Sequence, residues 1–414
     1  MAVRESGAEG ASLAVRLDSQ RLILQRLRRL GEASRADLAR DVALTHTAIG
    51  QIIKHLERAG YVRAVGRKHQ GRRGQPATLL ALDARGAFAI GVRLDRARIE
   101  TVLADLSGAV LARRTHDVML PPPEAALRLL HDDVEELARV VPAARRRRIL
   151  GIGIARPYNL GSWLAELDLP RERFAAWDTF SLTDELERAC GLPAQQENDG
   201  TAAAVAELFH GHGRSADDFL YVFIGPAIGA GLVLGGQVVR GSAGNAADLG
   251  VVPVAPSRLA SAPPPRDGRE MLLGRASITA LYRHLRFRGE SAASLAAPCR
   301  TAAVEEWLDD CAAALVEPLL TARALLDVPL VIIDGDLPPA VLDDLLTRLA
   351  PRLAAATAAS RRPPTLKRGS FGALAGALGA ATLPLFLQFG PAAGRIGAAS
   401  REVRSQGGAD VLVE

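Results

Sequence analysis

Two short stretches carry side chains suited to gripping a hydroxylated small molecule. The first is Gln196-Glu197-Asn198-Asp199-Gly200-Thr201, followed by three alanines. An amide beside a carboxylate, at a strand-to-helix junction, can make paired hydrogen bonds to vicinal hydroxyls. The same two side chains would equally cap a helix that starts near Thr201. The second stretch runs from Arg240-Gly241 to Gly250 and supplies another carboxylate, Asp248. Upstream of it lie Gly225, Gly229 and Gly231, whose bare N–H groups could cradle an anion. A third group of residues speaks for different chemistry: Arg67, Lys68, Arg72 and Arg73 sit in one glycine-rich segment, as a polyanion partner would require.

The elements that must position these groups follow from apolar runs and turn residues. Phe219 to Ile224 has the length and composition of a buried strand. A glycine-dense turn, a second strand at Leu232 to Leu234, a Gly235-Gly236 hairpin and a third strand at Val238-Val239 complete a meander. Phe88 to Val92, Ile99 to Asp105 and Val110 to Val118 form a similar one, with turns at Asp95-Arg96 and Ser107-Gly108. Two meanders in one chain fit a duplicated fold.

Pro121-Pro122-Pro123 is a stiff lead into a helix through Val140. Arg145 to Arg148 reads as a solvated helix end or a nucleic-acid patch. Leu150 to Ala155 is a further strand, and Met271 to Phe287 and Ala302 to Leu325 are helices. Leu330 to Ile333 is a strand that runs into Asp334-Gly335-Asp336. Phe371 to Phe389 carries no charge; its glycines and Pro384 point to a buried helix that stops before the proline, not to a membrane span.

The N-terminal part reads as a separate module. Ser19 can cap a first helix with an apolar face of Ile23, Leu24, Leu27 and Leu30, closed by Gly31. Ser34-Arg35-Ala36-Asp37 resembles a capping box for a short second helix. Ala43-Leu44 is a turn, and Thr45 caps a third helix to about Ala59. Ile49, Ile52, Ile53 and Leu56 form its buried stripe; Thr47, Gly50, Gln51, Lys54 and Arg58 form the opposite face, with His46 at the tip.

Such a helix can enter a major groove. A strand at Tyr61 to Val65, a basic loop from Gly66 to Pro76 and a strand at Ala77 to Leu82 add a wing. Arg72 and Arg73 could reach a minor groove or touch only phosphates. A helix-turn-helix reads one half-site, so a homodimer or dimer of dimers on an inverted-repeat duplex is expected.

The charge distribution agrees. Residues 1–86 hold 16 Lys+Arg against 8 Asp+Glu, whereas the whole chain has a net charge of +5, so the remainder is slightly acidic. A length of 414 residues suits two or three domains, and 48% hydrophobic content is ordinary for a soluble protein. Cys190, Cys299 and Cys311 form no CxxC pair, so a reducing cytoplasm is expected and no thiolate metal site. The N-terminus does not resemble a signal peptide.

The glycine meander, the Glu197-Asn198-Asp199 motif and the N-terminal module together resemble the ROK family of sugar kinases and sugar-responsive repressors. That resemblance implies an α/β chain: an N-terminal winged helix-turn-helix, then a two-lobed actin-like, ribonuclease-H-like ATPase-type fold. The expected division is a tail over 1–16, the winged module over 17–85, lobe I over 86–198 with 386–414 returning to it, and lobe II over 199–385. By the resemblance, Asn198, Asp199, Asp248, Gly153 and Gly229 line a sugar cleft, and Asp199 stands where the kinases have their general base.

Several positions depart from the kinase pattern. The glycine-rich phosphate turn of the kinases is here Asp95-Arg96-Ala97-Arg98-Ile99, which reads as a charged surface hairpin. Pro226-Ala227 replaces Thr-Gly, Asp334-Gly335-Asp336 replaces a glycine pair near the adenosine site, and Val251 replaces a histidine. Residues 253–268 contain no Cys or His where the family has its zinc loop. The expectation is a DNA-binding regulator of carbohydrate genes controlled by a sugar-like effector, without cofactor or metal and without catalysis. A ligand-independent regulator with a vestigial pocket and a residual sugar kinase are the alternatives.

Overall fold

A computed structural model describes residues 19–42, 44–68, 77–161, 174–265, 267–296, 300–357 and 362–390. The chain forms two compact units: Met1–Ala87 with Pro384–Glu414, and Phe88–Leu383.

In the first unit, helix α1 (residues 19–30) already includes Ser19, so Ser19 is not its cap; Ile23, Leu24 and Leu27 are buried, but Leu30 is 48% exposed. Gly31 lies in the left-handed region behind it. The three-residue strand β1 (Glu32–Ser34) comes next and was not expected. It leads into α2 (Arg35–Asp41), whose capping box is complete: Ser34 Oγ accepts from Asp37 N–H, and Asp37 Oδ2 accepts from Ser34 N–H at 3.2 Å. Thr45 Oγ1 caps α3 (His46–Ala59), and Gly60 closes it at φ 76°.

Strand β2 (Val62–Lys68) runs past Val65, so Gly66, Arg67 and Lys68 belong to the strand and not to the loop. A bulge between Ala64 and Gly66 lets it keep pairing with β3 (Ala77–Leu82). The sheet order is β1-β3-β2, antiparallel throughout.

The second unit repeats one plan twice. Strands β4 (Phe88–Leu94), β5 (Ile99–Asp105) and β6 (Val110–His116) form a meander. After α4 (Pro123–Val140), β7 (Ile149–Arg156) pairs parallel to β4. After α5 (Leu182–Cys190), β8 (Ala194–Asn198) pairs parallel to β7. The order is β6-β5-β4-β7-β8.

Helix α6 (Asp199–His210) then leads to the second meander: β9 (Phe219–Ile224), β10 (Ile228–Leu234) and β11 (Gln237–Val239). The short strands β12 (Pro253–Val254) and β13 (Glu270–Met271) pair with each other. Where one helix was expected, Ser277 separates α7 (Leu272–Ala276) from α8 (Ile278–Phe287) and caps the second through Ala280 N–H. Helix α9 (Ala302–Leu326), β14 (Leu330–Gly335), α10 (Pro339–Ala356) and β15 (Thr365–Arg368) finish the second sheet, ordered β11-β10-β9-β14-β15 with the last three parallel. Two sheets of identical order match the duplication read from the two meanders.

Helix α11 (Ala375–Phe389) passes through Pro384 instead of ending before it. By length and composition Gly372–Phe389 could cross a membrane, but 72% of it is buried inside the protein. Its last residues cluster with the first unit and not with lobe I as expected: Gln25 donates to Phe389 O at 2.6 Å, and the Tyr61 and Phe389 rings meet edge-on at 5.0 Å. Of the expected return segment, residues 391–414 lie outside the described residues.

Helices α6 and α11 approach their neighbours too closely for side chains. A Cβ on Gly231 would stand 2.5 Å from Ala204 Cβ, and one on Gly153 would stand 1.8 Å from the carbonyl oxygen of Ala380. Gly229 and Gly231 lie within β10, not in a turn, and the bareness of Gly231 lets α6 seat on the strand. Gly153 is likewise occupied with α11. Because the clash at Gly153 is with backbone, neighbouring side chains cannot relieve it. Gly153→Ala should lower the unfolding free energy by about 3 kcal/mol or prevent folding. Urea melts of the two proteins, with unchanged m-values, check this.

Candidate ligand cleft and nucleic-acid interface

The cleft is lined by segments from both sheets of the second unit. Its walls come from the β4–β5 hairpin, the segment after β7, the start of α6, the β9–β10 turn and residues 245–248; its volume is about 130 Å³. That is room for one small ring with its substituents. Asn198, Asp199, Asp248 and Gly229 all line it, whereas Gly153 does not, for the packing reason given above.

Asn198 also caps α6: its Oδ1 accepts from Gly200 N–H at 3.0 Å and from Thr201 N–H at 3.3 Å. Asp199 Oδ1 accepts from Gly200 N–H at 2.7 Å. Both roles open from the sequence, cap and cleft wall, are thus held by the same residues. Burial first, and the nearby Asp95 carboxylate second, hold Asp199 above the usual carboxylate range, against the pull of Arg93.

Asp248 is held by its own loop, where the Asn245 amide donates to Asp248 Oδ2 at 2.9 Å. Just before it, Ala247 sits at φ 65°, a left-handed conformation that costs a residue with a Cβ about 1–2 kcal/mol. Arg240 fixes the base of the loop: its Nε donates to Glu197 Oε2 at 2.5 Å, and its carbonyl accepts from Ala246 N–H at 2.9 Å. Tyr158, which was not singled out from sequence, stands at the cleft 51% exposed.

The β4–β5 hairpin is not a surface feature. Arg96 is only 4% exposed and donates to the carbonyls of Leu160 at 3.2 Å and Asn159 at 3.1 Å. Arg93, in the preceding strand, is 8% exposed at its side chain and reaches across the cleft to Asp336. The pair is bidentate, with both contacts at 3.2 Å, and Asp95 lies 3.7 Å from the same guanidinium. Arg93 also donates to Ala373 O at 3.3 Å and lies over the Phe223 ring at 5.1 Å. Burial opposes its charge, but Asp336 and Asp95 together hold it above the ordinary arginine range.

Asp334 does not face the cleft. It is buried and accepts from Tyr221 Oη at 3.1 Å and Gly372 N–H at 3.1 Å. Asp334 and Asp336 therefore neither confront a ligand together nor share a cation. Among the described residues no group of three or more His, Cys, Asp or Glu side chains could hold a metal. Cys190 and Cys311 are free thiols, and Cys299 lies outside the described residues.

In the first unit, Ile49, Ile53 and Leu56 of α3 are buried and Ile52 is half-buried. His46, Thr47, Gln51, Lys54 and Arg58 are exposed on the other side, joined by His55. Arg63 and Arg67 are exposed along β2. Arg72 and Arg73 lie outside the described residues, as does the side chain of Lys68. The exposed edge of α3 presents donors, acceptors and positive charge in the pattern a groove requires.

The ROK family model matches residues 89–385, and the Winged helix DNA-binding domain model matches residues 18–75. The chain belongs to the ROK family. It is 30% identical to the uncharacterized protein y4fQ of Sinorhizobium fredii over 90% of this chain and 92% of that one. To the putative xylose repressor of Caldicellulosiruptor sp. it is 30% identical over 52% and 54% of the two chains. It is 24% identical over 55% of each chain to the DNA-binding transcriptional repressor Mlc of Escherichia coli. The chain thus aligns with about half the length of these two repressors.

Among solved structures, a ROK family transcriptional regulator homologous to E. coli Mlc shares the fold over 91% of this chain and 98% of that one, with a TM-score of 0.64 at 22% identity. The ROK family glucokinase of Streptomyces griseus, solved with glucose and AMPPNP, shares it over 72% and 99%, with a TM-score of 0.57 at 23% identity.

Two expectations follow. Asp336→Ala leaves the Arg93 charge buried with one carboxylate fewer, and should cost about 3–5 kcal/mol of stability. Replacing both members, Arg93→Met with Asp336→Leu, should recover most of it, which guanidinium titrations would measure. In α3, a Cβ on Gly50 would meet nothing within 4 Å. Gly50→Ala should therefore raise the thermal midpoint, by up to about 1 kcal/mol of stability, because alanine is the better helix former. If the bare backbone is there for a close approach to DNA, the same variant should lose duplex affinity, so melting and gel-shift measurements should move in opposite senses.

Proposed function

We propose that this chain is a DNA-binding transcriptional repressor of carbohydrate genes whose DNA affinity is set by a sugar-like effector in the cleft. The observation that carries the non-enzymatic reading is the Arg93–Asp336 pair. By the family resemblance, both the β4–β5 turn and the 334–336 segment lie where the kinases hold nucleotide. Here Arg93 and Asp336, next to and within those segments, join in a bidentate ion pair, and the turn has no glycine. Phosphoryl transfer depends on positioning and charge-stabilising the phosphates, so their cradle matters more than the retained Asp199.

The repressor reading draws on the winged helix match and on the printed functions of the xylose repressor and Mlc. The exposed polar and basic edge of α3, with Arg63 and Arg67 on the wing strand, is the surface offered to the duplex; Arg72 and Arg73, outside the described residues, are expected from the sequence to join it. Lys68 and Gly50 belong to the same set. The protein acts in the cytoplasm as a homodimer or dimer of dimers on an inverted repeat, because one helix-turn-helix spans only a half-site. The effector shifts a conformational equilibrium and changes DNA affinity by its differential affinity for the two states, typically about 1–3 kcal/mol.

Operator selection from random duplexes, followed by binding titrations with and without a panel of pentoses, hexoses and their derivatives, tests this. The expected result is an inverted-repeat site and a change of about 5- to 150-fold in affinity with one ligand class. ATP turnover that Asp199→Asn abolishes would refute the non-enzymatic reading. Tight operator binding that no ligand moves would favour a vestigial pocket.

A further inference from the structure

The charges around the cleft narrow the chemistry of its occupant. The acidic side chains lining it are Asp95, Asp199 and Asp248, and the basic ones are Arg93 and Arg96. Arg93 is already committed to Asp336 through two 3.2 Å contacts. Arg96 donates to the backbone carbonyls of Asn159 and Leu160, and its charge also acts on Asp95 and Asp199. Counting Asp336, four carboxylates stand against two guanidinium groups.

The donors that meet two of those carboxylates are neutral amides: Gly200 N–H for Asp199 at 2.7 Å and the Asn245 side chain for Asp248 at 2.9 Å. Tyr158 adds an exposed aromatic ring at the same cleft, a surface that suits a cation or the apolar face of a sugar ring. A phosphate ester would enter this field against like charge. An ammonium group would enter it with attraction.

We propose that the effector is an unphosphorylated polyol bearing an amine, such as an amino sugar, with its ammonium between Asp95 and Asp199 and its hydroxyls towards Asp248 and Asn245. The inference rests on the effector reading above and adds the ligand's charge. It also gives the strained loop a role. Ala247 and the Arg240–Glu197 bond shape the loop that presents Asp248 to the cleft, so that carboxylate is available to the hydroxyls.

The test uses the full chain and matched pairs of probes: glucose with glucosamine, galactose with galactosamine, mannose with mannosamine, and glucose 6-phosphate. Isothermal titration at neutral pH should show at least one amine bound about tenfold or more tighter than its neutral partner, with the phosphate ester weakest. Asp199→Asn should bring the amine to within about threefold of its neutral partner, the ratio within each pair being the readout whatever the change in the neutral sugar's own affinity. Asp95→Asn serves the same purpose should Asp199→Asn not fold. Equal affinity within every pair, or tightest binding of the phosphate ester, would overturn the inference and leave the sensor reading standing. Absence of binding by every probe, and by a wider neutral panel, would overturn both.

Discussion

The buried guanidinium of Arg93 is the constraint on which the cleft depends. A desolvated charge is tolerated only when paired and hydrogen-bonded on all sides, because the penalty for leaving it unpaired is several kcal/mol. Here the partners come from different segments: Asp336 after β14, Asp95 on the hairpin, the Ala373 carbonyl and the Phe223 ring. Meeting that one group's demands brings the first strand of one meander against the last turn of the other sheet. The same interaction therefore ties the two walls together.

Why some of this is readable from residues and some is not follows from the range of the forces involved. The capping of α2 is written in four consecutive residues, and so is legible. The two meanders are legible because apolar runs and turn residues are local, and their shared order appears once the parallel strands are added. Strand β1 is too short to carry a period. Pro384 looks like a helix stop because a proline removes one intrahelical hydrogen bond, yet the tight burial of α11 outweighs that cost. Gly229, Gly231 and Gly153 look like an anion cradle or a ligand loop. For Gly231 and Gly153, what settles the role is how near α6 and α11 come, through Ala204 and Ala380 far away in sequence; Gly229 does line the cleft.

The hairpin at Asp95-Arg96 is the sharpest case. Two adjacent charges in a turn read as solvated, since most such turns are. Burial of Arg96 is decided by the carbonyls of Asn159 and Leu160, more than sixty residues later, which no local pattern announces. The departures from the kinase pattern were visible as substitutions, but not what they do together. Only the fold shows that one of those substitutions, Asp336, pairs with Arg93 of β4, a residue that no motif picks out.

A regulator needs an element with two arrangements of similar free energy, and magnitudes indicate where such an element can lie. The close-packed helices are poor candidates, because shifting α6 against β10 brings backbone atoms into collision at several kcal/mol. The charged lining of the cleft is better matched. A charge-assisted hydrogen bond contributes about 1.5–3 kcal/mol net, which is the size of a typical coupling free energy between two binding sites. Asp95 stands 3.7 Å from Arg93 and also faces the cavity. A cationic group that takes Asp95 would compete with Arg93 for it and throw Arg93 fully onto Asp336, whereas a neutral ligand would leave the sharing as it is. The same carboxylate can thus both recognise an occupant and report it to the bond that ties the cleft's walls together.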